Sequence, residues 1–132
     1  DHLVMNCVGT IESPRQSLLA GSDKVVTYRP VQDCHSRLEK LLAYYWTGMC
    51  QPLPLLLKSS YDYAETISHG SGRDEAIKKA QTSWAPSRQH YGEATNPYHD
   101  LAYRSINPLD ERFESIALEI FGPLLDHEDE VG

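Results

Sequence analysis

The chain has 132 residues, which is enough to build a hydrophobic core without disulfides or structural metals. Its formal net charge of −7 excludes a DNA-binding surface that covers the whole protein. No run approaches the ~20 consecutive apolar residues of a membrane helix, and residues 1–4 lack the basic start of a signal peptide. We therefore expect a globular protein with no membrane segment.

The three cysteines, Cys7, Cys34 and Cys50, are odd in number and widely spaced. They predict neither a disulfide framework nor a CxxC zinc site. Such thiols are typical of the reducing cytoplasm, which is the compartment that we predict. The chain begins with Asp1 in a stretch that resembles the apolar end of a helix, so we expect the fold to be truncated at its N-terminus.

A β-hairpin is the first element with a clear turn signal. Residues 17–20 and 25–29 contain β-branched, aliphatic and aromatic side chains, and they flank the turn Gly21-Ser22-Asp23. Pro30 is expected to end the second strand because proline has no amide proton to donate.

A helix is predicted next, with Asp33 as its N-cap and an end near Trp46. Its apolar residues follow helical spacing, and they are Cys34, Leu38, Leu41, Leu42, Tyr45 and Met49. Gly48 is expected to terminate the helix. Two prolines then predict an extended entry, and the leucine run that ends at Lys58 predicts a short buried strand.

Two more helices are predicted in the middle of the chain. Ser59, with Asp62 three residues later, resembles a capping arrangement and predicts a helix start. The glycines around Ser71 end that helix, and another is predicted over residues 73–84. Residues 85–97 are rich in turn formers and predict a polar loop.

The last part of the chain predicts one further helix. Residues 98–106 are too few for periodicity to decide between strand and helix. Asn107-Pro108 predicts an N-cap followed by the first helical residue, and apolar side chains continue at helical spacing to Leu124. Gly122-Pro123 is expected to bend or end this helix.

These elements together predict an α/β fold with a small mixed sheet flanked by helices. We expect one domain over residues 1–125. The acidic run within residues 126–132 is typical of a solvated tail.

The stretch from Leu41 to Glu65 has the sequence LLAYYWTGMCQPLPLLLKSSYDYAE. Its amphipathic helix, glycine, Pro-x-Pro entry and Lys-Ser-Ser follow one another in an order that resembles the C-terminal region of RecC, the gamma subunit of exodeoxyribonuclease V. The resemblance covers nearly the whole chain and includes Ser17-Leu18-Leu19, Tyr28-Arg29-Pro30-Val31, Asn96-Pro97-Tyr98, Leu101-Ala102-Tyr103-Arg104 and residues 113–125, which end in Gly122-Pro123-Leu124-Leu125.

The resemblance implies a restriction-endonuclease-like fold that lacks the active site. It also implies a non-catalytic role in the RecBCD helicase–nuclease, namely assembly with RecB and RecD and engagement of DNA in double-strand-break repair and homologous recombination. The parent complex uses ATP and Mg²⁺, while this domain is expected to hold no cofactor or metal.

The lysines support the expected loss of nuclease activity. A metal-dependent nuclease of that fold needs an (Asp/Glu)-x-Lys pair, in which the carboxylate holds Mg²⁺ and the lysine orients the attacking water. The residues two positions before Lys24, Lys40, Lys58, Lys78 and Lys79 are Ser22, Leu38, Leu56, Ala76 and Ile77. None of these is acidic, so we predict no catalytic residue and no catalytic metal.

Exposed aromatic and cationic side chains are the candidates for contacts with partners. Consecutive aromatics on one helix must point to different sides, so at least one is expected to be exposed to solvent or to another subunit. Such side chains anchor protein interfaces or stack on unpaired bases. The candidate partner- or DNA-contact residues are Tyr44, Trp46, Lys58, Tyr61, Arg73 and Arg104.

Weaker patterns favour ordinary surface positions. His35 and Glu39 have a spacing that can bind metal, but no third ligand is evident in the sequence. The turn before Arg73 lacks the lysine of a phosphate-binding loop.

Two alternatives stay open at this point: an active metal-dependent nuclease of the same fold, and an unrelated cytosolic protein-interaction module.

Overall fold

The computed structural model describes residues 1–8, 15–22, 24–88, 91–104 and 106–131. The chain forms two compact units. Unit 1 comprises residues 1–50 and 126–132, and unit 2 comprises residues 51–125. The prediction of a single domain over residues 1–125 stays a prediction.

Unit 1 contains a small antiparallel sheet. Strand β1 (Ser17–Ala20) pairs with β2 (Val25–Tyr28), with Ser17 opposite Tyr28. This confirms the predicted hairpin, although Asp23 of its predicted turn lies outside the described residues. Strand β3 (Glu128–Val131) pairs antiparallel with the other edge of β2, which gives the order β1-β2-β3. The described sheet is therefore antiparallel rather than mixed.

The prediction of a solvated tail is wrong for residues 128–131, which form β3. Strand β2 offers a free edge to this segment, and cations beside that edge attract its carboxylates. Lys24 Nζ lies 3.6 Å from Glu128 Oε1, and Arg29 Nε lies 3.2 Å from Asp129 Oδ2. The Arg29 amide also donates to the His127 carbonyl oxygen at 2.9 Å. Strand pairing and these ion pairs therefore hold the acidic segment on the sheet, while the Asp129 side chain stays 56% exposed. Gly132 lies outside the described residues.

Two helices accompany the sheet in unit 1. Helix α1 (His2–Cys7) packs against α2 (Cys34–Cys50). The predicted start of α2 after Asp33 is confirmed, but the predicted end at Gly48 is wrong. Gly48 has a negative φ, and the helix continues to Cys50, two residues before Pro52. Proline disfavours helical backbone in the preceding residue.

Asn6 connects α1 to both ends of the hairpin. Its buried Nδ2 donates to the Arg15 carbonyl oxygen at 3.2 Å, and its Oδ1 accepts from the Val31 amide at 3.0 Å. Buried polar groups are stable only when paired, so these bonds hold the N-terminal helix to the segments that flank the hairpin.

Unit 2 begins with an irregular segment and then helix α3 (Leu57–Ser68). The prediction of a leucine strand ending at Lys58 is wrong, because Leu57 and Lys58 form the first turn of this helix. A short apolar run does not by itself distinguish a strand from a buried helix segment. The predicted cap at Ser59 with Asp62 is also wrong. The Ser59 amide donates instead to Glu93 Oε2 at 2.8 Å, and Asp62 accepts from the Ser83 hydroxyl.

The remaining helices of unit 2 match the sequence predictions in part. Helix α4 (Arg73–Trp84) has the predicted bounds. A 3₁₀ turn (Glu93–Thr95) lies in the predicted loop. Helix α5 (Pro97–Tyr103) begins at the last residue of that loop and extends through most of the undecided stretch. Ser105 lies outside the described residues.

The last helix, α6 (Glu111–Asp126), begins three residues later than predicted. The Asp110 carboxylate, not the Asn107 side chain, accepts from an amide of its first turn, that of Phe113 at 2.9 Å. The helix also continues through Gly122-Pro123 rather than ending there. Its buried stripe contains Phe113, Ile116 and Ala117.

The core of unit 2 lies where α3 and α4 pack against each other. The small side chains of Ala76 and Ala80 in α4 are fully buried in this cluster and allow the helices to approach closely. The larger buried members of the cluster are Leu56, Tyr63, Leu109 and Phe113. The described residues therefore form a helix-rich mixed structure with a small antiparallel sheet, which is consistent with the predicted α/β class.

Candidate functional site: an exposed apolar face on α2

One face of α2 is apolar and open to solvent. Its residues are Leu41, Leu42, Tyr45, Trp46 and Met49, and we call this set the α2 face. Of these side chains, Leu42 is 56%, Tyr45 66%, Met49 68% and Trp46 71% exposed. Positions separated by three and four residues lie on the same side of a helix. The α2 face is therefore one continuous surface about two to three turns long.

This face is larger than the isolated apolar residues that ordinary surfaces carry. Contiguous exposed apolar surfaces in folded proteins mark interaction sites. Tyrosine, tryptophan and methionine are also enriched where two proteins meet. The expectation that at least one of the consecutive aromatics is exposed is confirmed by Tyr45 and Trp46, while Tyr44 is only half-exposed.

The predicted contact residues are distributed over both units. Tyr44 and Trp46 belong to α2 in unit 1, and Lys58 and Tyr61 belong to α3 in unit 2. Tyr61 forms an edge-to-face contact with Phe121, with ring centroids 5.8 Å apart. Lys58 is exposed in the first turn of α3. The contact roles of these residues stay predictions.

Arg73 is held by an acidic partner within unit 2. Its Nε donates to Glu114 Oε2 at 2.7 Å, and its Nη2 donates to Glu114 Oε1 at 2.6 Å. The Tyr63 hydroxyl donates to Glu114 Oε2 at 2.8 Å. The Arg73 hydrogen bonds, opposed by partial burial, hold the pKa of Glu114 below its ordinary value. Burial and the bond to Glu114 raise the pKa of Tyr63 to about 12.

Arg104 follows α5 in an unusual backbone conformation. Its φ of 39° is in the region that favours glycine, and its amide donates to the Asp100 carbonyl oxygen at 2.8 Å. The side chain is exposed. Its role in binding stays a prediction.

An open cleft of about 490 Å³ lies beside the Arg73–Glu114 pair. It is lined by more acids than bases, and its charged residues are Arg73, Lys78, Asp74, Asp110, Glu111 and Glu114. A phosphate backbone is attracted by clustered lysine and arginine. This cleft therefore lacks the electrostatic character of a DNA-binding groove.

Three possible metal ligands meet in unit 1. Cys7 lies at the end of α1, and Cys34 and His35 lie at the start of α2. Their ligand atoms all lie within 4.8 Å of one another. Cys34 Sγ lies 3.5 Å from His35 Nδ1. Cys34 is buried, Cys7 half-buried and His35 exposed. Desolvation and the neighbouring Cys34 thiol raise the pKa of Cys7 to about 11.

Local spacing did not reveal this group. The sequence pattern paired His35 with Glu39, whereas the structure places His35 beside two thiols, one of them 28 residues earlier in the chain. The only sequence signal was the adjacent Cys34-His35 pair, which acquires a further ligand when α1 packs on α2.

Comparison with protein families identifies a match to the first part of the chain. Residues 1–68 match the family described as the RecC C-terminal domain. Neither the curated proteins nor the solved structures include a match to the chain. Among the described residues, no helix combines the length and apolar character needed to cross a membrane.

Proposed function

Because the chain belongs to the RecC C-terminal domain family, we propose that it is a non-catalytic part of the RecC subunit of exodeoxyribonuclease V. In this proposal, the α2 face binds a protein partner and supports assembly with RecB and RecD. The complex engages DNA in the cytoplasm during double-strand-break repair and homologous recombination, and ATP and Mg²⁺ serve its other parts.

The exposure of the α2 face is the observation that carries the assembly role. A protein partner that covers Trp46 and Met49 removes apolar surface from water, which contributes roughly 25 cal/mol for each Å² buried. Tryptophan is also among the residues that dominate binding energy when they lie at the centre of an interface. The α2 face therefore provides both a driving force and an aromatic anchor.

Charge also favours protein over DNA as the main contact of this region. The chain carries a net charge of −7, and acids outnumber bases in the cleft of unit 2. The exposed Lys58 and Arg104 remain candidates for individual contacts to DNA phosphates. Such isolated cations position a duplex that other parts of the complex hold.

The non-catalytic role rests on the lysine positions. None has an acidic residue two positions earlier, and Lys58 belongs to a helix rather than to a strand. We propose that the domain has a restriction-endonuclease-like fold without a working catalytic metal site. Mg²⁺-dependent DNA cleavage by the full chain that disappears in Lys58→Ala would overturn this part of the proposal.

The assembly role is tested by co-expressing tagged RecB with RecD and RecC variants. We expect Trp46→Ala to lower the affinity of RecC for its partners by roughly 30-fold, which corresponds to about 2 kcal/mol. Less of the three-subunit complex should therefore be recovered. The double variant Trp46→Ala/Met49→Ser should lose more. Both positions are exposed, so the substitutions leave the core of unit 1 intact.

Tyr91→Ala is the matched control, because Tyr91 is also an exposed aromatic residue but lies in unit 2. Recovery of RecD and DNA unwinding should be unchanged in this control. Normal assembly and unwinding by the double variant would contradict the proposal. An equal loss in the Tyr91→Ala control would show that the effect is not specific to the α2 face.

A further inference from the structure

We propose that Cys7, Cys34 and His35 form a binding site for a thiophilic d¹⁰ cation, Zn²⁺ in the first place, between the end of α1 and the start of α2. The three side chains offer two sulfur ligands and one nitrogen ligand. The proposed site lies at the start of α2 and shares no residue with the α2 face, so it does not depend on the assembly role.

The distances between the ligand atoms are compatible with tetrahedral coordination. Zinc binds cysteine sulfur at ~2.3 Å and histidine nitrogen at ~2.0–2.1 Å, so tetrahedral angles separate sulfur from nitrogen by about 3.6 Å and two sulfurs by about 3.8 Å. Cys34 Sγ and His35 Nδ1 are 3.5 Å apart, and no ligand pair exceeds 4.8 Å. Side-chain shifts of about 1 Å therefore bring all three ligand atoms within bonding distance of one ion.

The ligand types determine which metal the site prefers. Thiolate and imidazole ligands select zinc or copper(I), whereas magnesium, calcium and manganese prefer carboxylate and carbonyl oxygens. Three protein ligands leave a fourth position for a water molecule or an outside ligand. Binding of Zn²⁺ to the two thiols forms two Zn–S bonds and releases both thiol protons to solvent.

The placement of the site gives the metal a structural effect. Cys7 belongs to α1, and the other two ligands belong to α2, so one cation would join the two helices. His35 is exposed, which leaves its ring accessible to an entering ion. Ligands that are brought together only in the folded chain make metal binding a contribution to folding stability.

Cys50 provides an internal control. It is exposed at the opposite end of α2, 16 residues after Cys34, and at 1.5 Å per residue that is about 24 Å away. It is a free thiol that cannot contact the proposed ion. Cys50→Ser therefore removes one thiol from the chain without removing a ligand.

The test measures metal content and affinity in the full chain, purified without a polyhistidine tag or chelators and in the presence of a reductant. We expect one equivalent of zinc per chain by mass spectrometry of the elements. Co²⁺ should give a sulfur-to-cobalt charge-transfer band and intense visible bands typical of tetrahedral coordination. Zinc should raise the melting temperature, and excess Mg²⁺ should not compete.

Cys7→Ser and His35→Ala should each lower zinc affinity by at least about a hundredfold, the upper end of the effect of losing an outer-shell partner. Cys50→Ser should retain the affinity of the unchanged chain. His35→Ala removes an exposed side chain, so loss of folding does not explain its result. Parallel titration with Cu(I) shows which of the two thiophilic ions the site holds more tightly.

Three results would overturn the proposal. The first is a reduced chain that binds no zinc, copper(I) or cobalt. The second is binding that His35→Ala and Cys7→Ser leave unchanged. The third is a chain in which Cys7 and Cys34 form a disulfide and bind no metal after reduction.

Discussion

Glu93 shows how one side chain determines a helix start from far away in the sequence. Its carboxylate accepts from the amides of Lys58 and Ser59 at 3.0 and 2.8 Å, and from the Ser59 hydroxyl at 2.6 Å. First-turn amides have no partner within their own helix. A negative charge also interacts favourably with the positive end of the helix dipole. Glu93 therefore provides the cap that α3 lacks locally.

Substituting Glu93→Gln keeps the size of this cap and removes its charge. We expect a loss of about 1 kcal/mol in the free energy of unfolding of unit 2, typical of a weakened N-cap. Urea unfolding, followed by the far-ultraviolet circular dichroism of the helices, measures this free energy. Glu39→Gln, at an exposed position within α2, is the control. Equal losses in the two variants would show that Glu93 has no special role.

The Glu114 carboxylate links stability to acid pH. Its pKa is lowered from the ordinary value of 4.5, first by the Arg73 hydrogen bonds. A lowered pKa in the folded state stabilises the fold above the unfolded-state value, and this stabilisation is lost as pH falls below 4.5 through the folded-state value. We expect Glu114→Gln to be less stable than the unchanged chain at pH 7.

The difference between the two chains should shrink as pH falls below 4.5, because protonated Glu114 no longer attracts Arg73. Thermal unfolding between pH 7 and pH 3 measures it. Glu111→Gln, also in the first turn of α6, tests whether any carboxylate there has the same effect. A difference between Glu114→Gln and the unchanged chain that stays constant down to pH 3 would disprove the linkage.

At the scale of elements, Gly92 allows the 3₁₀ turn to approach the end of α4. A Cβ atom added at Gly92 would overlap the backbone of Trp84 and Ala85. Backbone atoms cannot rotate away as a flexible side chain can. The next residue is Glu93, so this close approach also positions the cap of α3.

Gly92→Ala should therefore destabilise unit 2 by about 1–3 kcal/mol, as overpacking does. The melting temperature of the variant measures the loss of stability. Hydrogen exchange of the first amides of α3 measures whether the Glu93 cap is displaced. Gly72→Ala is the matched control, because a Cβ there meets no atom within 4 Å and the backbone is extended. Alanine at this N-cap should lower the free energy of unfolding by less than about 1 kcal/mol. A Gly92→Ala chain as stable as the control would contradict the close packing.

The elements that the sequence predicted well have local causes. The hairpin follows from β-branched residues around a glycine turn, and α4 follows from helical periodicity between two breaks. The errors have distant causes. The leucine run leads into α3 at Leu57 instead of forming a strand, and Glu93, 35 residues after Lys58, caps that helix. The acidic segment 128–131 becomes a strand because β2, about a hundred residues earlier, offers an edge.

The candidate sites also have one part with a local cause and one part with a distant cause. Helical periodicity predicted that Tyr45 and Met49 share a face of α2, but periodicity does not reveal whether such a face is covered, and the structure shows it exposed. The group of Cys7, Cys34 and His35 depends on packing of α1 against α2. No local spacing rule brings these three residues together.

At the scale of the whole molecule, the two ends of the chain meet in one unit. Residues 126–132 belong with residues 1–50, and β3 pairs with β2 across this long separation. Backbone pairing and two ion pairs both hold β3. The Arg29–Asp129 pair is exposed, and the Lys24–Glu128 pair has its lysine 42% exposed. Ion pairs open to solvent contribute only ~0–1 kcal/mol, so we infer that the hydrogen bonds of the ladder contribute most of the stabilisation.

Truncation after Asp126 separates these contributions, because it removes β3 and leaves α6 intact. We expect the amides of Val25–Tyr28 to exchange with solvent at least about tenfold faster, which corresponds to about 1.4 kcal/mol. Exchange in α3 should stay unchanged. Glu128→Gln removes only the ion pair to Lys24 and should have a much smaller effect. Equal acceleration in the two variants would mean that charge, rather than strand pairing, brings the acidic end of the chain onto the sheet.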